Sequence, residues 1–171
     1  RRALAGGADE RGLVMPTRSF QAGEAETAEA LIAAVRAACT PPTRLKIILE
    51  TGLLQESALI AAASRLAIAA GADFLKTSTG KLQPGATPEA ARTMLEVIRG
   101  HRAASGETIG FKAAGGIRSV ADAAVYLDLA DAILGPDYVA PEHFRLGASS
   151  ALDDLLTHLG ATDSPATDSD D

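Results

Sequence analysis

Three lysines stand in or at the ends of short β-branched runs. Lys46 lies in Arg44-Leu45-Lys46-Ile47-Ile48-Leu49-Glu50, Lys76 in Asp73-Phe74-Leu75-Lys76-Thr77 and Lys112 in Thr108-Ile109-Gly110-Phe111-Lys112. They are 30 and 36 residues apart, about one strand–helix unit each. An ordinary lysine is protonated at neutral pH and is a poor nucleophile. A second ammonium close by, with partial loss of water, disfavours the charged form and frees the amine for attack on a carbonyl carbon. Lys76 and Lys112 suit that chemistry, one as the amine and one as the perturbing charge. Taken alone, each could equally be a lysine that snorkels from a strand end to solvent.

Glycines and hydroxyls follow the lysines. Thr77-Ser78-Thr79-Gly80-Lys81 comes after Lys76, Ala113-Ala114-Gly115-Gly116-Ile117-Arg118 after Lys112, and Gly147-Ala148-Ser149-Ser150 stands near the end of the chain. Glycine lets backbone N–H groups approach an anion, and a helix start adds unpaired donors. One such loop marks only a turn; three in register point to a phosphate.

Groups like these need strand ends to hold them. Besides the three lysine strands, Leu13-Val14-Met15 reads as a weaker strand and Ala132-Ile133-Leu134-Gly135 as a short one. Helices are predicted from about Ala25 to Ala38 and from Gln55 to Ala70, with Gly71 as a C-terminal cap. Thr87-Pro88-Glu89 starts another, which Gly100 should end after Arg99. Ser119-Val120-Ala121-Asp122 reads as a capping box for a helix to about Leu129. Ser149 or Ser150 opens a last helix to about Leu159. Strand–helix units of this size predict parallel pairing with right-handed crossovers. Residues 161–171 are polar and acidic and read as a disordered tail, which leaves 1–160 as the folded domain.

The chain has 171 residues, 47 % apolar and only 4 % aromatic, with no Trp, so its core is built from Ala, Leu, Ile and Val. A net charge of −6 argues against a nucleic-acid or anionic-membrane partner. The lone Cys39 reads as a small buried hydrophobe. The three histidines lack ligand spacing, so no metal site is expected. The apolar stretch from Ala58 to Ala72 is too short to span a bilayer, and no signal peptide is visible. Arg1-Arg2-Ala3-Leu4-Ala5 reads like the tail of a helix, with no initiator Met, which suggests that the natural protein starts further upstream.

The segments Leu45–Gly52, Gly71–Lys81, Gly110–Arg118 and Arg145–Ser150 resemble the signatures of the deoxyribose-phosphate aldolase family, and the Lys76-Thr77-Ser78-Thr79-Gly80-Lys81 block is highly specific to it. The resemblance runs over roughly residues 3–160. It implies an α/β fold of the parallel (β/α)8 barrel type, with about the last five βα units present, since a whole barrel takes about 250 residues. It implies reversible cleavage of 2-deoxy-D-ribose 5-phosphate to D-glyceraldehyde 3-phosphate and acetaldehyde, by a cytoplasmic class I aldolase that uses a lysine Schiff base and no metal or other cofactor. By motif, Lys76 resembles the Schiff-base lysine and Lys112 the second lysine that lowers its pKa. Thr79, Gly80, Lys81, Gly115, Gly116, Ser149 and Ser150 lie in the segments implied to hold the substrate phosphate. Lys46 matches a polar residue on the preceding strand. The implied partners are small phosphorylated sugars and aldehydes, and the open edges of a five-strand sheet would favour self-association into a homo-oligomer.

Three departures stand out. The family reads Gly-Ala-Asp-Glu, one residue, then a proton-relay aspartate; here Gly7-Ala8-Asp9-Glu10-Arg11 is followed by Gly12. Asp9 and Glu10 are expected to lie before the strand and to substitute poorly. The family's proline beside the second lysine is Ala113, and its C-terminal tyrosine has no equivalent in the acidic tail. These departures and the short length leave a rival reading, a non-catalytic remnant or a phosphate-binding module without turnover. Another Schiff-base aldolase on the same barrel is a third.

Overall fold

Within each strand, alternate residues go to opposite faces, and the burial of these strands divides accordingly. The computed structural model describes residues 8–39, 41–148 and 150–160. The strands are β1 (Glu10–Val14), β2 (Arg44–Ile48), β3 (Phe74–Lys76), β4 (Gly110–Ala114) and β5 (Phe144–Gly147). All pair in parallel, in chain order. Leu45, Ile47, Leu75, Phe111 and Ala113 point outward and are fully buried against the helices α1 (Thr17–Gln21), α2 (Ala25–Ala38), α3 (Thr51–Leu54), α4 (Ser57–Ala69), α5 (Pro88–Ser105) and α6 (Val120–Leu134). A last helix, α7, spans Ala151–His158.

The helix starts follow their local chemistry. Thr87 accepts the Ala90 N–H ahead of Pro88, and Ser119 with Asp122 forms a complete capping box. Arg36 on α2 ties the outer layer to the strand ends: it reaches the Asp73 carboxylate at 2.6 Å and the Thr43 carbonyl at 2.9 Å. Cys39 is buried, as expected.

The sheet is strongly curled. Five flat strands would hold their edges about 19 Å apart at the usual spacing. Yet the Glu10 carboxylate on β1 pairs with Arg145 on β5, at the opposite edge. The Arg44 guanidinium on β2 likewise donates to the Glu142 carbonyl just before β5, at 2.9 Å. This is a barrel wall, and its concave side is where the lysines sit.

Several expectations need correction. α5 does not stop at Gly100 but runs to Ser105, and Gly106, at φ 76°, takes the cap. One glycine inside a helix costs only about 1 kcal/mol, which the buried stripe Met94, Leu95 and Ile98 easily outweighs. Ala132–Gly135 is not a strand. Residues 132–134 complete α6, because Tyr126, Leu129, Ala130 and Ile133 recur at helical spacing on the face that meets the core. The fifth strand is Phe144–Gly147, with a 3₁₀ turn over Pro136–Tyr138 before it. β4 lies two residues later than Thr108–Lys112, and β1 begins at Glu10, ahead of the predicted Leu13. The predicted 161–171 tail and the Arg1–Ala5 helix end lie outside the described residues.

Candidate active site

The concave face carries the charges. Lys76 pairs in register with Lys112, and Lys112 with Arg145, so three cations form one row across β3, β4 and β5. One pleat below, Gly12 aligns with Lys46 and Lys46 with Phe74. Glu10, on the same face as Gly12, is held by both Lys46 and Arg145. Glu10 therefore lies in the strand and faces the lysines, contrary to the expectation that it precedes the strand. Phe74 forms a floor on which the guanidiniums of Arg44 and Arg145 rest, 5.8 and 4.4 Å from the ring centroid.

Lys76 and Lys112 are both pushed toward their neutral forms. Burial lowers the pKa of Lys76 from the ordinary 10.5, the Lys46 charge lowers it further, and Glu50 opposes both. Burial also lowers Lys112, followed by the charges of Lys46 and Lys76, with Glu10 opposing and Arg145 adding to the fall. Lys46 thus acts on both amines. Glu10 is raised by burial, but the hydrogen bonds and charges of Lys46 and Arg145 outweigh this and hold its carboxyl below the usual range.

The strand ends are locked together above the lysines. The Thr77 hydroxyl donates to the Ala114 carbonyl and accepts from the Ala114 N–H, both at 3.0 Å. The Ser78 hydroxyl donates to the same carbonyl. The buried Glu50 carboxylate accepts the Thr79 N–H at 3.2 Å, which fixes the loop that follows Lys76. Gly147 leaves room for Lys112, since a Cβ there would stand 3.0 Å from Lys112 Cε.

Beyond these ends lies a cavity of about 380 Å³, walled by Lys76, Thr79, Gly80, Gly115, Gly116 and Arg118 with Gly147 and Ala148. Gly115 and Gly116 adopt φ of 93° and 87°, a conformation that side chains resist and that turns successive backbone groups toward one concavity. A larger cavity, about 890 Å³, lies in the outer layer between α4 and α5. It holds none of the lysines, and its wall sets Ala58, Ala61, Ile68 and Val97 beside Arg65, Arg92, Glu96 and His101.

Of the predicted site residues, Lys76, Thr79, Gly80, Gly115 and Gly116 meet at this cavity, and Lys112 stands beside Lys76. Lys46 faces the lysines from the strand below, away from the cavity. Lys81 is exposed on the loop and does not line it. Ser150 stands at the N-cap position of α7 without a side-chain capping bond, its hydroxyl donating instead to the Arg118 carbonyl at 3.2 Å; Ser149 lies outside the described residues. Residue type and spacing give Glu10 no role beyond that of a poor substitute and do not point to Glu50, Arg145 or Arg118. Glu50 and Arg145 belong to the quoted motifs, but their roles depend on cross-strand register, which sequence spacing alone does not fix. Among the described residues, no three His, Cys, Asp or Glu side chains group as metal ligands do, and no helix is long and apolar enough to cross a membrane.

Residues 1–154 match the model of the DeoC/LacD family of aldolases. The chain is 53 % identical to a deoxyribose-phosphate aldolase of Agrobacterium fabrum over 157 residues, covering 92 % of this chain and 59 % of that protein. It therefore spans about three fifths of that relative's length. Among solved structures, a protein of Toxoplasma gondii ME49 assigned as a deoxyribose-phosphate aldolase, in its apo form, superposes with a TM-score of 0.84 at 28 % identity, over 94 % of this chain and 64 % of that one. The tetrameric deoxyribose phosphate aldolase of Aeropyrum pernix shares the fold, with a TM-score of 0.65 at 24 % identity over 92 % of this chain and 58 % of that one.

Proposed function

The chain belongs to the DeoC/LacD family of aldolases, and from that premise we propose that it carries the Schiff-base site of a deoxyribose-phosphate aldolase. The observation that supports this reading is the adjacent, partly buried pair Lys76 and Lys112 beside a glycine-walled cavity. In the synthetic direction, neutral Lys76 attacks the carbonyl carbon of acetaldehyde and water leaves. The iminium loses a proton to give an enamine, whose carbon adds to the aldehyde of glyceraldehyde 3-phosphate, and water hydrolyses the new iminium to release the sugar phosphate and free Lys76. Burial and the Lys46 charge favour the neutral form of Lys76, and Lys112, in register beside it, exchanges protons with the substrate. Thr79, Gly80, Gly115, Gly116, Ser149 and Ser150 hold the phosphate remote from the new bond, which fixes orientation. Lys81 meets that phosphate from the exposed rim. The substrates are small phosphorylated sugars and aldehydes, the setting is cytoplasmic, and the working form is a homo-oligomer.

Acetaldehyde with borohydride tests the assignment. An ethyl group should appear on Lys76 in peptide maps of the full chain. Its appearance on Lys112 instead would reverse the two roles. Gly12 favours a second reading, in which phosphate binds without turnover. That reading expects binding of the phosphorylated sugar and no aldehyde release.

A further inference from the structure

Glu50 is the only buried charged residue among the described residues, 3 % exposed. It follows β2 and takes the left-handed backbone conformation, φ 53° and ψ 60°, which costs energy for any residue with a Cβ. Both its carboxylate oxygens lie at hydrogen-bond distance from the Thr79 nitrogen, 3.2 and 3.3 Å. No described cation forms a salt bridge with it. A charge taken out of water without an ion pair is costly. A carboxylate that is buried, unpaired and held on strained backbone points to a task at that place.

Two parts of the site meet at Glu50. On one side is the loop that walls the glycine cavity. It is packed without slack: a Cβ on Gly52 would stand 2.1 Å from the Pro84 carbonyl oxygen, and one on Gly85 would stand 2.5 Å from the Gly115 carbonyl. Glu50 ties down the start of this loop at Thr79, and Thr79 and Gly80 line the cavity with Gly115 and Gly116. On the other side is Lys76. Its carbonyl accepts the Leu49 N–H at 3.0 Å, so Glu50 stands one residue beyond that strand pairing. Its charge acts on the Lys76 amine in the opposite sense to burial and Lys46. The charged groups around Lys76 are Lys46 from β2, Glu50 beyond its end, Lys112 from β4 and Arg118 on the cavity wall. Glu50 alone among them is an acid.

We propose that Glu50 is a positioning residue for the reaction at Lys76, holding the phosphate loop through Thr79 and serving as counter-charge to the iminium. The inference rests on the Schiff-base reading given above and adds a residue to that site. The amine, the aldehyde and one proton give the iminium and water, and the iminium nitrogen is positive. Lys46 disfavours that charge as it disfavours the ammonium, and the Glu50 carboxylate offsets it. The same carboxylate fixes the turn at Thr79 and Gly80. The anchor of the phosphate and the charge at the reacting nitrogen therefore depend on one residue.

The test compares Glu50→Gln with Glu50→Ala in the full chain. Gln keeps an oxygen that can accept the Thr79 N–H and loses the charge; Ala loses both. Competitive acetylation reads the titration of Lys76, which should shift further downward in Glu50→Gln. Inorganic phosphate, titrated calorimetrically, reads the loop. Glu50→Ala should bind it about tenfold more weakly, since a hydrogen bond to a charged group is lost, and Glu50→Gln should stay within about threefold of the unaltered chain. Trapping of acetaldehyde with cyanoborohydride reads the Schiff base itself, and half-maximal labelling of Lys76 should need more acetaldehyde in Glu50→Gln. A Lys76 titration that does not move in Glu50→Gln overturns the inference. So does phosphate binding that is absent from the unaltered chain or unchanged in Glu50→Ala. In each case an ethyl group on Lys76 of the unaltered chain leaves the Schiff-base reading standing. Equal loss of phosphate binding in both variants, with Lys76 returned toward its ordinary value, would make Glu50 a folding residue alone and also overturns the inference. No ethyl adduct on Lys76 of the unaltered chain removes the Schiff-base reading and the inference with it.

Discussion

The two faces of the sheet are made by the same strands and obey different rules. On the convex face Leu45, Ile47, Leu75, Phe111 and Ala113 are buried to completion against helices. On the concave face their immediate neighbours Lys46, Lys76 and Lys112 are only partly covered and repel one another. One residue of register separates stability from chemistry. The concave row costs stability, because cations are drawn out of water beside like charges. The convex face supplies what offsets that cost. The glycine cavity lies at the junction, where strands end and backbone does the work of side chains.

The difference can be broken from either side. Lys76→Ala should abolish borohydride trapping while the thermal melt changes little; a retained adduct would move the nucleophile elsewhere. On the other face, Phe111→Ala removes a buried ring next to Lys112 without touching the site. It should cost about 3–5 kcal/mol in urea unfolding. A loss below 1 kcal/mol would show that this face is less tightly packed than its burial implies.

Glu10→Gln tests the one anion on the concave face. It should cost about 1–2 kcal/mol at neutral pH, since Lys46 and Arg145 lose their shared partner while staying partly covered. The sign with pH follows from its lowered folded pKa. The stabilisation is present above the ordinary value of 4.5 and is lost as pH falls through the lower folded value. The acid limb of stability against pH should therefore flatten in the variant, and an unchanged limb would exclude Glu10 as its source.

Lys112→Met should act in the opposite direction and most weakly. Lys112 has a lowered pKa in the fold, so the unfolded chain binds more protons between that value and 10.5. Stability contributed by this group rises with pH across that window. Replacing it should raise stability by about 1 kcal/mol at neutral pH, or a few degrees in Tm, while trapping on Lys76 slows. A lower Tm would mean that its methylenes pack more than its charge repels.

The parallel architecture, the helix caps and the lysine strands were legible because each depends on local pattern: β-branched runs, Thr87-Pro88, Ser119 with Asp122. α2 was read to its last residue. The failures have physical causes too. Gly100 looked like a stop, but buried residues on both sides carried the helix over it. Ala132–Leu134 is apolar enough for a strand, yet Ile133 continues the helical spacing of Tyr126, Leu129 and Ala130 on the buried face. Phe144–Gly147 is too short, at four residues, to show a period. In the site, the lysines and glycines declared themselves by type and spacing. Glu10 did not, because its partners are 36 and 135 residues away and meet it only once the sheet curls.

The concave face lowers the pKa of Lys76 from its ordinary value. Competitive acetylation of the full chain over a range of pH, read lysine by lysine in peptide maps, measures this directly. Lys76 should titrate below the ordinary 10.5, and Lys46→Met should move it back upward by removing a charge that lowers it. A Lys76 that titrates at or above 10.5, unmoved by the loss of Lys46, would contradict the account.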